Sequence, residues 1–206
     1  MKQIPDHEIA RNTKDFWLVD DHSYHVHHIV DGQQRLTTFI IFLQSFVDSI
    51  TALPENKEKT VENIYVTESM SVADLESRYL FKIKPTGDQF RTYIFGYESD
   101  NPSYNFLKFR ILGEEGGGSV EETFYMLNLS NAKTYFTEQF RELYEREGLE
   151  GLQEIYKKLT KRFLFNEYVI KDEFDVFVAF ETMNNRGKRY CQVFFAHLGI
   201  TWLVIL

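Results

Sequence analysis

One junction constrains this chain more than any other feature: at residues 31–38 a strand-like segment turns directly into a long amphipathic helix. The preceding residues, 24–30, read Tyr-His-Val-His-His-Ile-Val, which is typical of a β-strand. After Arg35 the apolar residues recur every three or four positions, which predicts a helix over residues 36–50. These residues are Leu36, Phe39, Ile40, Leu43, Phe46, Val47 and Ile50. Gly32 forms the turn between the strand-like segment and the predicted helix. We expect the functional site of the protein at this turn.

The composition is that of a folded, globular protein. Of the 206 residues, 43% are hydrophobic, and 19 Phe and 12 Tyr bring the aromatic share to 16%, so a disordered chain is excluded and an aromatic-rich core is expected. The formal net charge of −8 argues against non-specific DNA binding, because that binding needs Lys and Arg to neutralise phosphates. Any nucleic-acid contact must therefore be local. Candidate cations are Lys157, Lys158, Lys161 and Arg162, which a solvated helix face also explains, and Arg186, Lys188 and Arg189.

The cysteine content and the two ends of the chain bear on its location. Cys191 is the only cysteine, so no intramolecular disulfide can form and a reducing compartment is expected. Residues 1–8 lack the apolar region of a signal peptide. The apolar stretch at 198–206 is far shorter than the roughly 20 residues that span a bilayer. We therefore expect a cytoplasmic protein without a membrane segment.

The remaining elements are read from periodicity and turn residues. Residues 15–30 predict one or two strands, and residues 54–60 a polar connection. Glycines at 116–118 predict a flexible loop, and the middle of the chain is interpreted as an insertion over the core. The other predicted elements are strands at 64–67, 78–84 and 167–170, a short helix at 88–95, and helices at 121–147, 149–165 and 172–183, with Gly148 as a stop. The apolar set of the helix at 121–147 is Phe124, Leu127, Tyr135, Phe136, Phe140, Leu143 and Tyr144.

Two interpretations of the glycine turn remain open. In the first, Asp31 caps the helix and Gln34 reaches back, so that the segment is a variant of the capping box and only starts a helix. In the second, the N–H groups and partial positive charge of the helix N-terminus bind phosphate, and Arg35 adds a bidentate cation. Gln33 and Gln34 would then orient a water, a ribose or a base, and Asp31 would hold the turn, a divalent metal or the attacking water.

A second polar group lies at residues 180–187, Phe-Glu-Thr-Met-Asn-Asn-Arg-Gly. Glu181 falls on the apolar stripe of the predicted helix at 172–183. A carboxylate is expected there only when it pairs with a partner such as an arginine or takes part in a functional site. Asn184 and Gly187 are also ordinary residues of a helix C-terminus, so capping and a polar site wall both fit.

A cluster of histidines precedes the glycine turn. His25 and His27 share one face of a strand and could ligate a metal, but no acidic or Cys/His partner set stands at a fixed spacing, so surface histidines are the favoured interpretation.

Taken together, residues 29–38 and 180–188 resemble the N-terminal domain family of the GmrSD type IV restriction endonucleases. The first motif, Ile-Val-Asp-Gly-Gln-Gln-Arg-Leu-Thr-Thr, is specific as a block, and the second motif late in the same chain argues against coincidence. The resemblance covers residues 12–188 of what we interpret as a single domain over residues 1–206.

The resemblance implies an α+β fold, with a ParB/sulfiredoxin-like core, a large helical insertion and C-terminal helices. It implies a component of a modification-dependent anti-phage system that binds and hydrolyses a nucleoside triphosphate with Mg²⁺, senses DNA that is often modified, and works with a nuclease domain or subunit. The catalytic residues it implies are Asp31, Gln33, Gln34 and Arg35. The nucleotide-binding residues it implies are Gly32, Arg35, Asn184 and Arg186, with support from Glu181 and Gly187. It implies no metal-ligating residue.

Two departures from the family pattern accompany this resemblance. The arginine- and aromatic-containing segment expected upstream of Asp31 is not evident, and after Lys188 an apolar run replaces a leucine- and lysine-bearing helix. We therefore expect a domain truncated at both ends, with a frame shift as one explanation. A His-Asn-His nuclease motif is not found, so this chain alone is not expected to cut DNA by that chemistry. Two alternatives stay open: a non-catalytic nucleotide- or DNA-binding switch, and an inactive truncated remnant.

Overall fold

The computed structural model describes residues 16–19, 22–25, 29, 32–83, 91–97, 101–115 and 123–162. The chain divides into two compact units, residues 1–27 with 38–154 and residues 28–37 with 155–206. Over the described residues the structure is mostly helical, with small antiparallel sheets, which agrees with the predicted α+β class. The ParB/sulfiredoxin-like core stays a prediction, and the elements predicted at 167–170 and 172–183 lie outside the described residues.

Each sheet in the described part of the chain is a two-stranded antiparallel hairpin. The pairs are β1 (Phe16–Val19) with β2 (His22–His25), β3 (Tyr65–Thr67) with β4 (Met70–Ser71), and β5 (Phe81–Ile83) with β6 (Arg91–Tyr93). The prediction of one or two strands within residues 15–30 is confirmed by β1 and β2, whereas Ile29 is not in a strand and residues 26–28 and 30 lie outside the described residues. The strand predicted at 64–67 is confirmed as β3. The strand predicted at 78–84 is too long, because Arg78 and Tyr79 belong to the helix before it.

The short helix predicted at 88–95 is wrong where the structure describes it, since residues 91–93 form β6. Thr92 and Tyr93 favour an extended backbone, and cross-strand pairing adds to that preference. Tyr93 stands opposite Phe81 in the ladder, with their ring centroids 5.9 Å apart. Pairing with the preceding strand therefore outweighed the local helical pattern.

Helix α1 (Gln33–Thr51) supplies much of the core of the first unit and confirms the helix predicted at 36–50. Its buried apolar side chains include Ile41, Leu43, Phe46 and Ile50. Phe46 meets the ring of Phe140 edge-on at 5.4 Å, and such aromatic pairs contribute roughly 0.5–1.5 kcal/mol beyond the area they bury. This packing holds the body of the helix in the core of the first unit.

Helix α4 (Phe124–Arg162) is interrupted at Gly148, as predicted. Its φ of 67° and ψ of −160° lie in a region that is essentially restricted to glycine. The predicted apolar set is only partly correct: Phe140 and Leu143 are buried, whereas Phe124 is 81% exposed, and Leu127 and Tyr135 are exposed as well. Met126 and Leu129 are buried in their place. Met126 and Leu129 share the buried face with Phe140 and Leu143, whereas Phe124, Leu127 and Tyr135 belong to the exposed side of the helix. None of the described helices is both long and apolar enough to cross a bilayer.

The 3-10 turns at Pro54–Asn56 and Val61–Asn63 were not predicted, and neither were two longer helical segments. They are α2 (Val72–Tyr79) and α3 (Tyr104–Phe106), which continues into a π-helical turn at Leu107–Ile111. α2 begins with a full capping box: the Ser71 hydroxyl accepts the Asp74 N–H at 3.1 Å, and the Asp74 carboxylate accepts the Ser71 N–H at 3.0 Å. Two of the N–H groups that a helix start leaves without helical acceptors are thereby satisfied.

Substituting Ser71 with alanine is expected to lower the free energy of unfolding by about 1 kcal/mol, within the range of roughly 0.5–2 kcal/mol for lost N-caps. Urea unfolding of the variant and the wild type measures the difference. Ser130→Ala, inside α4, is the matched control and should stay within about 0.5 kcal/mol. Equal shifts in the two variants would show that the capping box does not stabilise α2.

Burial raises the pKa of Glu76 on α2; Arg91 opposes this shift, and Asp48 and Glu62 add to it. Because the folded protein favours the protonated carboxyl, its contribution to stability is full below the unfolded pKa and is lost as pH rises through the folded pKa. Glu76→Gln removes the charge and should therefore have a higher melting temperature than the wild type near pH 7. The difference in melting temperature should disappear at about pH 4. Melting curves between about pH 4 and pH 7 test this prediction, with Glu58→Gln, a substitution of an exposed glutamate, as the control. A melting-temperature difference that does not change with pH would contradict it.

Candidate functional site

The glycine turn starts α1 with a backbone conformation that requires glycine. Gly32 is buried and has a φ of 86°, in the left-handed region that L side chains rarely adopt. Its carbonyl accepts the Leu36 N–H at 2.9 Å, the first helical hydrogen bond, and the helix begins at Gln33. Gly32 thus occupies the cap position that the sequence suggested for Asp31. Asp31 itself lies outside the described residues.

The two glutamines of the motif differ in what they do. Gln33 Nε2 donates to the Ile29 carbonyl at 2.5 Å, which ties the first helical residue back across the turn. The sequence does not predict this bond, because the direction of the Gln33 amide depends on the geometry of the turn. Gln34 is exposed at the next helical position. Both glutamine side chains are exposed, and Gln33 also holds the turn.

Arg35 places a cation where a helix ordinarily prefers an anion. The first turn of α1 contains no acidic residue, and its last turn contains no basic one. A helix N-terminus carries roughly half a positive charge, which favours Asp or Glu by about 0.3–1 kcal/mol and disfavours Arg. Arg35 is half-buried. The positive end of the helix and the Arg35 side chain therefore belong to the same helical turn, a combination that anion sites also use.

The described part of the motif is thus a buried glycine turn, a fixed helix end, two amide side chains and one arginine. Glu181, Asn184, Arg186 and Gly187 lie outside the described residues, so their assignments stay predictions. Among the residues that the structure describes, no group of three or more His, Cys, Asp and Glu side chains is arranged to hold a metal ion. The basic side chains Lys157, Lys158, Lys161 and Arg162 are exposed on α4, as the interpretation of a solvated helix face predicts.

The family model for the N-terminal domain of GmrSD restriction endonucleases matches residues 16–191. Because this match spans both motifs and most of the chain, the protein belongs to the GmrSD restriction endonuclease N-terminal domain family. The resemblance read from residues 29–38 and 180–188 is thereby confirmed, and the chain is placed among components of restriction systems. Comparisons with curated proteins and with solved structures gave no match.

Proposed function

We propose that this chain binds and hydrolyses a nucleoside triphosphate at the turn formed by Asp31, Gly32, Gln33, Gln34 and Arg35, as the DNA-sensing component of a modification-dependent restriction system. Its family supports a role in restriction, and the turn supports a phosphate ligand. The observation that carries the proposal is the buried Gly32 at φ 86° directly before a helix whose first turn holds Arg35 and no acid. An ordinary helix start needs neither feature.

Binding would use the backbone first and the side chains second. The N–H groups at the start of α1 face the triphosphate, and the glycine lets a phosphate approach the backbone closely. Arg35 then forms charge-assisted hydrogen bonds to phosphate oxygens, which are roughly twice as strong as neutral ones. Asn184 and Arg186 of the second motif are proposed as further nucleotide contacts, with Glu181 and Gly187 in support.

Hydrolysis would need a positioned water and stabilised charge. The water oxygen attacks the γ-phosphorus, the bond from that phosphorus to the β–γ bridging oxygen breaks, and a nucleoside diphosphate, inorganic phosphate and a proton leave. Gln34, which is exposed at the second position of the helix, is proposed to orient the water, and Gln33 is proposed to hold the turn through the Ile29 carbonyl. Arg35 would stabilise the negative charge on the transferred group, and Asp31 would accept the proton or hold the water.

Mg²⁺ accompanies nucleoside triphosphates in most enzymes that hydrolyse them. The described residues of the turn offer a guanidinium and amides and no carboxylate, so by themselves they do not form a magnesium site. Mg²⁺ is commonly held by substrate phosphates and one or two carboxylates, and here Asp31 is the carboxylate of the motif. We assign no step to the metal.

Phosphate release by the purified chain is the direct test. The chain is incubated with Mg²⁺ and each common nucleoside triphosphate, with and without duplex DNA carrying modified bases, while nucleotide binding is measured in parallel. Turnover that DNA changes is the expected result. Binding without phosphate release would instead identify a nucleotide-dependent switch that acts on a nuclease partner. Neither binding nor release, in a chain that unfolds cooperatively, would overturn the proposal.

A further inference from the structure

A second polar feature lies in the first unit, away from the motifs. A cleft of about 400 Å³ opens beside α2, lined by residues from the β3–β4 turn, the helix and β5. The lining residues are Ser69, Met70, Asp74, Ser77, Arg78 and Lys82. Two cations, one carboxylate and two hydroxyls therefore face a single open space.

The two cations are held in place by contacts other than ion pairs in the described part of the chain. Lys82 Nζ donates to the Ser77 hydroxyl at 3.0 Å, and the exposed Arg78 guanidinium lies 6.0 Å from the ring centroid of Tyr79. No ion pair joins either cation to a carboxylate in the described part of the chain. In a protein with 31 acidic and 23 basic residues, such a pair of cations is unexpected.

Helix electrostatics explain one of these cations and not the other. Arg78 is in the last turn of α2, where a positive charge favourably meets the negative end of the helix. Lys82 is on β5, and the turn at Leu80 brings it back beside Ser77. A role in helix stability therefore accounts for Arg78 alone.

Asp74 determines which anion the cleft can accept. Its carboxylate accepts hydrogen bonds from the Ser71 N–H and hydroxyl, and these bonds hold the pKa of Asp74 below its usual value, so the group is ionised at neutral pH. The cleft therefore carries two positive charges and one negative charge. A net charge of that size suits a monoanion better than a phosphate monoester or a triphosphate, which carry two or more charges.

We propose that the cleft beside α2 binds a backbone phosphodiester of nucleic acid, with Arg78 and Lys82 as its cations and the Ser69 and Ser77 hydroxyls as further donors. A phosphodiester is a monoanion, and its chain can enter and leave an open cleft. Arg matches phosphate oxygens bidentately, and Lys adds a point charge. The inference rests on the DNA-sensing part of the proposed function and is independent of nucleotide binding at Arg35.

The salt dependence of DNA binding tests this site. Fluorescence anisotropy with a labelled duplex is measured over a range of salt concentrations for the wild type and for the double variant Arg78→Gln, Lys82→Gln. Each lost phosphate contact lowers the slope of log affinity against log salt by about 0.9, so a slope shallower by about 1 is expected, with affinity down roughly tenfold. The control, Arg141→Gln with Arg146→Gln, removes the same charge from exposed ion pairs of α4 and should keep the wild-type slope.

Several outcomes would overturn the inference. The first is an equal loss of DNA affinity in the two double variants, and the second is an unchanged salt slope in the Arg78/Lys82 variant. The third is a wild-type chain that binds no duplex with or without triphosphate. The fourth is an Arg78/Lys82 variant that loses binding of inorganic phosphate and keeps binding of duplex. A change in self-association by sedimentation, without a change in DNA binding, would instead identify acidic side chains of a second copy as the occupant. Phosphate release by the same samples shows separately whether the nucleotide proposal stands.

Discussion

Replacing Phe46 with alanine is expected to lower the free energy of unfolding by about 3–5 kcal/mol, the range for removing a large aromatic side chain from a packed core. Phe46 is 1% exposed and contacts the ring of Phe140. The loss combines the hydrophobic transfer of the ring, the cavity left behind and one edge-on aromatic contact. Since small domains are stable by only about 5–15 kcal/mol, this change alone removes a large part of the total.

Phe124→Ala is the matched control for Phe46→Ala. The substitution is the same, it also lies on a helix of the first unit, and Phe124 is 81% exposed. Its effect should stay within about 0.5 kcal/mol. Urea or guanidinium unfolding gives both values from the shift in midpoint at constant slope. A similar loss in the two variants would mean that α1 does not pack its Phe46 face into the core.

Gly32→Ala is expected to affect both stability and nucleotide binding. An L side chain in the left-handed region adds about 1–2 kcal/mol of strain, and relief of that strain should shift the start of α1 and so weaken the proposed phosphate contact. Gly148→Ala is a close control, because Gly148 has a φ of 67° and open space around its Cα. Both variants should therefore melt lower than wild type.

Nucleotide affinity separates the two glycine variants. Only Gly32→Ala should weaken nucleotide binding, because only Gly32 precedes the helix end that we assign to phosphate. If both variants bound nucleotide equally well, the glycine would serve the fold and not the ligand.

Local patterns predicted the parts of the fold in which the sequence carries one strong signal. The apolar spacing of α1 and the glycine stop in α4 belong to this group. Where a segment fits two structures equally well by local pattern, tertiary contacts determine which structure forms. In α4, the face with Met126 and Leu129 is buried, whereas Phe124, Leu127 and Tyr135 are exposed. At residues 91–93, pairing with β5 replaced the helix that local spacing favoured.

Helix α2 was missed because its middle carries few apolar residues, although a capping signature was present at Ser71 and Asp74. Reading residues 78–84 as one strand then separated Arg78 from the helix end and hid the cleft that it shares with Lys82.

The sequence grouped Gly32, Gln33, Gln34 and Arg35 as a candidate site, and that grouping stays a prediction. The family match spans these residues, and the structure adds the local geometry of the turn. Spacing alone could not show that Gln33 turns back to the Ile29 carbonyl, because the direction of an amide side chain depends on the turn geometry. It also could not reveal that Gly32 takes the cap position, since that depends on where the helix begins.

The measurement that most directly tests the central claim is a calorimetric titration of Mg²⁺ and nucleoside triphosphate into the wild-type chain and into Arg35→Ala. Hydrogen bonds to charged groups contribute about 1.5–3 kcal/mol, so the dissociation constant should rise roughly 10- to 100-fold in the variant. Arg110→Ala, an exposed arginine of the other unit, should bind as the wild type does. If Arg35→Ala keeps its melting temperature and binds nucleotide with unchanged affinity, the turn at Gly32 to Arg35 is not the nucleotide site.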